Sequence, residues 1–227
     1  METVLTLQPL KPSAEGPATL AEAVYSTVLE AILSGRLAPG TVVSEVSLAR
    51  QLAVSRTPVH DALRQLAKDG LVRQKANHRA EVAAFSREEI LDVFEMRILL
   101  ESEAARRAAT RIDRPTLARL RATADGLAAD RTAPDWVDRW ADFDEDFHAA
   151  IARAAGSLRL RQDILRYRLL HRGFNKLGTD VDCLQQALAE HVQILDALER
   201  RDPDTAASAM AAHIREWQAF FANRLAH

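Results

Sequence analysis

Residues 44–66 read SEVSLARQLAVSRTPVHDALRQL, and this stretch decides the fold. Ser44 is a helix cap, and Val46, Leu48, Ala49 and Leu52 follow it at helical spacing. Ala53-Val54-Ser55 reads as a turn. Ser55 then caps a second helix with Pro58 in its first turn, where a missing N–H is tolerated. Val59, Ala62, Leu63 and Leu66 give this helix its inward face, and Asp69-Gly70 ends it. In a helix-turn-helix the second helix enters the major groove, and its N-terminal residues touch base edges and phosphates. Here those residues are Ser55, Arg56, Thr57 and, one turn on, His60. An arginine so placed forks onto guanine, while hydroxyls and a helix N-terminus suit phosphate oxygens. Periodicity alone leaves an ordinary three-helix core with a basic surface equally open.

Upstream, Thr19 is an N-cap for a helix marked by Leu20, Val24, Val28 and Ile32, which stops at Ser34-Gly35 before a tight turn at Pro39-Gly40. Downstream, LVRQKANHRAEVAAF alternates about a polar turn, the signature of a small β-hairpin. Helix, helix-turn-helix, hairpin is the order of a winged helix, here spanning residues 18–83. Residues 1–17 carry three prolines and little periodicity and are expected to form a flexible tail. Charge agrees with a nucleic-acid reader. Residues 50–79 hold seven basic side chains against Asp61 and Asp69, whereas the chain from residue 83 on holds 21 basic and 24 acidic ones.

The chain has 227 residues, enough to bury a core without covalent staples. Cys183 stands alone, which excludes an intramolecular disulfide framework and a Cys-rich zinc site. Apolar runs are short and broken by charge, and the first residues lack a secretory pattern, so no membrane partner and a cytoplasmic location are expected.

From residue 86 the pattern is helical throughout. Ser86 and Glu89 form a capping-box signature, and six segments follow at about 87–110, 115–130, 133–155, 158–176, 179–200 and 203–225. The breaks fall at Asp113-Arg114-Pro115, Ala133-Pro134, Gly156-Ser157, Gly178 and Asp202-Pro203. Short loops between amphipathic helices imply an antiparallel bundle over residues 86–227. The fold class is therefore mainly α: a winged helix-turn-helix with a small β-hairpin wing, then an all-α six-helix bundle.

In ADFDEDFHAAI, Asp144 and His148 lie four apart on one helix face, and Phe143 and Phe147 anchor a neighbouring face. Asp142 and Asp146 are alternatives by composition, but facing prefers Asp144. His191 and His213 each sit mid-helix near apolar positions. A bundle can bring these four to one level, and three imidazoles with one carboxylate suit a divalent ion, zinc first, with nickel and manganese as the other candidates. The alternative from spacing alone is that the histidines are hydrogen-bonded core residues. Arg97 stands on an otherwise apolar face with Glu101. It either forms a structural pair with Glu101 or faces the cavity and forks onto a ligand carboxylate. Arg166, Arg168 and His171 share another helix, and nothing in the sequence fixes which points inward.

GRLAPG followed by E-x-x-LA-x-QL-x-VSRTPV-x-x-AL resembles the DNA-binding domain of the GntR family of bacterial transcription regulators across residues 18–83. D-x-x-F-H, E-H-x-x-I-x-x-A-L and M-x-x-H-I resemble the FCD effector domain of the FadR-like subfamily, and six helices suggest its VanR-like branch. The resemblance implies a homodimer on double-stranded operator DNA, with Arg56 reading bases and Asp144, His148, His191 and His213 holding a metal. It also implies a small carboxylate effector, with Arg97 as the residue that would meet it. The sequence departs from the family at three places. His60 stands where relatives place arginine, and Ser157 stands where they often have asparagine. Arg79 stands near where they have a wing-tip glycine, with Asn77 able to supply the left-handed residue and Arg79 to reach the minor groove. The expected function is thus a ligand-controlled transcription factor, a repressor and not an enzyme. The rival is a metal-dependent hydrolase or lyase acting on small organic acids.

Overall fold

The computed structural model describes residues 19–77, 79–174 and 181–224. The expected tail and the break at Gly178 lie outside them. The described residues fall into two compact units, one up to Ser86, the other built on Arg87–His171 and 181–224.

In the first unit the order is α1 (Leu20–Leu33), β1 (Val42–Ser44), α2 (Glu45–Leu52), α3 (Arg56–Lys68), β2 (Val72–Lys75) and β3 (Arg79–Val82). Thr19 and Glu22 close a capping box at the start of α1, satisfying two N–H groups that the helix itself cannot. Val24, Val28 and Ile32 of α1 meet Val59, Leu63 and Leu66 of α3 in the core, and Leu48 and Leu52 complete it from α2. Leu20, expected on the apolar stripe, is exposed instead. The Tyr25 hydroxyl donates to Asp69 Oδ2 at 2.9 Å, pinning α1 to the end of α3.

The wing is a three-stranded antiparallel sheet in the order β1-β3-β2, with Val43 and Gln74 both opposite Ala80. β1 is absent from the sequence expectation because three residues are too short for alternation to register. The left-handed turn residue is Asn77 (φ 60°). Arg79 is therefore not at the tip but opens β3, opposite Lys75 and Ser44.

The second unit contains α4 (Arg87–Arg111), α5 (Arg114–Ala129), α6 (Trp136–Ala154), α7 (Leu158–Phe174), α8 (Val181–Glu199) and α9 (Pro203–Arg224). α6 starts three residues later than its breaker suggests, with Asp135 in the N-cap position. Asp113 caps α5 ahead of a proline in its first turn, as the sequence implies. Ser157 accepts from the Leu160 N–H at 3.3 Å, so this departure from the family pattern serves the start of α7. α4 packs along α9 and against α6, and the core is filled by Phe94, Leu120, Leu127, Trp136, Phe147, Ile151, Leu195 and Phe221. Among the described residues no helix is long and apolar enough to cross a membrane.

Candidate functional site

Two clusters of chemistry-bearing side chains stand out, one in each unit. In the first, α3 presents its N-terminal turn outward. Ser55 occupies the N-cap position with extended backbone, but its hydroxyl makes no capping hydrogen bond, contrary to the sequence expectation. Ser55, Arg56 and Thr57 are exposed and His60 is partly so. Glu45, which the sequence reading did not single out, sits only 6% exposed at the start of α2. Its Oε2 accepts from Arg56 Nη2 at 3.3 Å, and its Oε1 lies 2.8 Å from His60 Nδ1. Arg79 is exposed on β3.

In the second unit, Asp144, His148, His191 and His213 come together. Each offers one ligand atom, and these atoms all lie within 4.8 Å of one another. α6 supplies the first two residues one turn apart, and α8 and α9 supply the others from mid-helix. His148 Nε2 and His191 Nε2 are 3.3 Å apart, and Asp144 Oδ1 lies 3.6 and 3.4 Å from them. All three imidazoles are buried. Phe143 and Phe147 pack on the His191 ring, which explains why the neighbouring face of α6 is aromatic.

Two carboxylates outside the cluster orient its rings. Glu101 Oε2 hydrogen-bonds His148 Nδ1, and Glu190 Oε2 lies 2.7 Å from His213 Nδ1. An ionised carboxylate only accepts, so Nδ1 carries the hydrogen in both and Nε2 keeps its lone pair. Glu101 also takes Arg97 Nε at 2.7 Å, so the buried Arg97–Glu101 pair is formed. Of the three residues left open on α7, Arg168 is buried and His171 is partly so, with its Nε2 shut off from solvent. Arg168 Nη2 donates to Asp144 Oδ2 at 2.8 Å and approaches Glu145 Oε2 at 3.4 Å. His171 packs edge-on against Phe94, and Arg166 is exposed.

The electrostatics favour the protonation state a cation needs. Burial pushes His148 down to about 4, and Arg168 adds to this against the pull of Glu101. Burial, with His213 next, holds His191 well below the ordinary histidine range. Burial alone would raise Asp144, but Arg168, His148 and His191 hold it well below the carboxylate range. Neutral imidazoles with lone pairs turned toward each other repel unless a proton or a cation lies between them. His191 Nδ1 is buried without a hydrogen-bond partner among the described residues. A borderline divalent ion fits this donor set.

Comparison with known proteins places these clusters in context. Residues 20–82 match the bacterial regulatory proteins of the gntR family, and residues 92–216 match the FCD domain. The chain is 35% identical to an HTH-type transcriptional regulator of the TAR-I ttuE-ttuC' intergenic region of Agrobacterium vitis, over 68% of this chain and 91% of that one. It is 29% identical to the probable D-xylose utilization operon transcriptional repressor of Paenarthrobacter nicotinovorans, over 86% of each. The solved structure of Escherichia coli McbR/YncC shares the fold, with a TM-score of 0.74 at 20% identity, covering 90% of this chain and 97% of that one. These relatives are named for transcription regulation rather than catalysis, which sets the hydrolase or lyase alternative aside.

Proposed function

Since this chain belongs to the GntR family of bacterial regulatory proteins and carries an FCD domain, we propose that it is a repressor whose hold on operator DNA is set by a small carboxylate effector at a divalent-metal centre. The observation that carries this reading is the convergence of Asp144, His148, His191 and His213, with ring orientation imposed by Glu101 and Glu190. The repressor direction is supported by the D-xylose operon relative, a repressor by name.

In this reading Ser55, Arg56, Thr57 and His60 meet the major groove and Arg79 the neighbouring minor groove. A homodimer presents two such readers to a palindromic site, because two-fold symmetry in the protein demands matching half-sites. The four ligating residues hold zinc, nickel or manganese. The ion supplies a positive charge on which an effector carboxylate can sit. Arg97 meets the effector with the rest of its guanidinium while Nε stays on Glu101, and Arg168 keeps Asp144 ionised and turned inward. The effector must favour one protein arrangement over another, since equal affinity for both shifts nothing.

The test is a fluorescence-anisotropy titration of the protein against its own upstream DNA, with and without chelator and with a panel of di- and tricarboxylates. Salt-sensitive binding that one acid abolishes only in the metal-loaded protein is the expected result. Binding indifferent to chelator and to every acid would keep the DNA reader and return the histidines to core packing.

A further inference from the structure

Glu45 reaches from the first turn of α2 to two side chains of α3 that lie one turn apart, one oxygen to each. It is nearly buried, so its carboxylate is fixed by the fold rather than by solvent. His60, by contrast, keeps 44% of its side chain exposed on the face that carries Arg56. An ionised carboxylate has lone pairs and no hydrogen to give, so the 2.8 Å contact requires the hydrogen on His60 Nδ1. A neutral imidazole has only one N–H. The ring atom left to face outward is then Nε2 with its lone pair, an acceptor.

That assignment has a consequence for base reading. In the major groove guanine offers O6 and N7 and thymine offers O4, all acceptors, whereas cytosine N4 and adenine N6 are donors. We propose that Glu45 fixes His60 as a hydrogen-bond acceptor, so that each operator half-site carries an amino-bearing base, cytosine or adenine, where His60 meets the groove. An arginine at this position would be a donor and would select guanine there. The assignment rests on α3 being the DNA reader. It adds a specificity determinant, His60, and a residue that positions it, Glu45.

The experiment is selection at pH 8, above the ordinary titration range of histidine. The full chain is offered a pool of duplexes randomised across an operator-length window, and the bound fraction is sequenced. Wild type is compared with Arg56→Ala, His60→Ala, His60→Arg and Glu45→Gln, each checked for native helicity. The wild-type pool should hold, in each half-site, one position where cytosine or adenine exceeds guanine by about five- to tenfold, the scale of one good base contact. His60→Arg should turn that position to guanine and leave the others unchanged. His60→Ala should flatten it, and Glu45→Gln, whose amide can either accept from or donate to Nδ1, should weaken it by admitting guanine at that position alone, a readout that loss of packing would not confine to one base position. If Glu45→Gln fails to fold, the exposed His60 variants still decide. A pool sensitive to Arg56→Ala but unchanged by His60→Ala would overturn this assignment alone, as would guanine at the His60-sensitive position in the wild-type pool. No enrichment by wild type, or a pool indifferent to Arg56→Ala, would sink the reader itself and this assignment with it.

Discussion

His148 and His191 turn their Nε2 atoms toward each other at 3.3 Å, both rings buried. With His148 Nδ1 already donating to Glu101, only a hydrogen on His191 Nε2 or a cation can relieve the contact. A bound divalent ion relieves it directly, so metal should act as a folding ligand. At a free concentration a hundred times its dissociation constant, a ligand adds about 2.7 kcal/mol. For a chain of this size that corresponds to roughly 5–10 °C. Thermal melts with chelator and then with added zinc, nickel or manganese measure it; a melting temperature indifferent to all of them would count against the centre.

Glu101 joins Arg97 to His148, and replacing it should be felt twice. Burial alone would raise its carboxyl, yet Arg97 and His148 hold it well below the carboxylate range, so it is charged in the fold. Glu101→Gln leaves the buried Arg97 guanidinium without its counter-charge and should destabilise the bundle by about 3–5 kcal/mol. Removing such a support should also weaken metal affinity by about 10- to 100-fold. Glu190→Gln should give a comparable affinity loss with a much smaller stability change, because Glu190 bonds to His213 and the uncharged Gln186 rather than to a buried guanidinium. Denaturant melts and competitive metal titrations on both variants separate the two effects.

The metal-free protein should be acid-labile in a defined window. His148 is pushed down to about 4 by burial and then by Arg168, and burial holds His171 and His191 well below their ordinary value too. Between pH 4 and the ordinary histidine value near 6.5, these rings bind a proton only when the chain is unfolded. The unfolded state therefore takes up more protons there, and stability is fully present above about 6.5 and declines as pH falls toward 4. Each such ring contributes a slope of about 1.4 kcal/mol per pH unit. Below that, Asp144 and Glu101 add to the loss as the unfolded carboxylates protonate. Urea midpoints from pH 7.5 to 4 in chelator would be flat if the rings were not held neutral.

Ala53 closes the turn between α2 and α3 in a left-handed conformation (φ 57°, ψ 41°). A Cβ in this region costs about 1–2 kcal/mol, and Ala53 is exposed, so its methyl returns little by packing. Ala53→Gly should stabilise the reader by up to about 1 kcal/mol after the extra chain entropy of glycine is subtracted. Urea unfolding followed by far-UV circular dichroism would register it, and a loss of stability would mean the turn is held by something other than its backbone.

Much of this was legible in the sequence because helical periodicity is a local signal. Asp144 and His148 share one helix, so their common face follows from a spacing of four. Ser44, Thr19 and Asp113 announce helix starts because a cap lies within three residues of the N–H it serves. What escaped was long-range or too short. Glu101 reaches His148 across 47 residues, and no pattern in the chain marks that pairing. Glu190 was hidden beside the more conspicuous His191. Which of Arg166, Arg168 and His171 turned inward depended on the rotation of α7, and a helix charged on several faces does not reveal it. Arg97 had two partners open to it from the sequence, Glu101 or a ligand carboxylate, and the structure gives its Nε to Glu101.

The four residues of the Asp144 cluster come from α6, α8 and α9, and the last of them has a bearing on how the protein is made. His213 follows the final strand of the winged helix by roughly 130 residues, about ten seconds of synthesis at ordinary ribosomal speed, and domains tend to fold as they emerge. During that interval a growing chain already carries its winged helix, while Asp144, His148, His191 and His213 are not yet together. In the proposed scheme, each newly translated copy thus passes through a stage with a folded reader and no completed centre through which an effector could act on it.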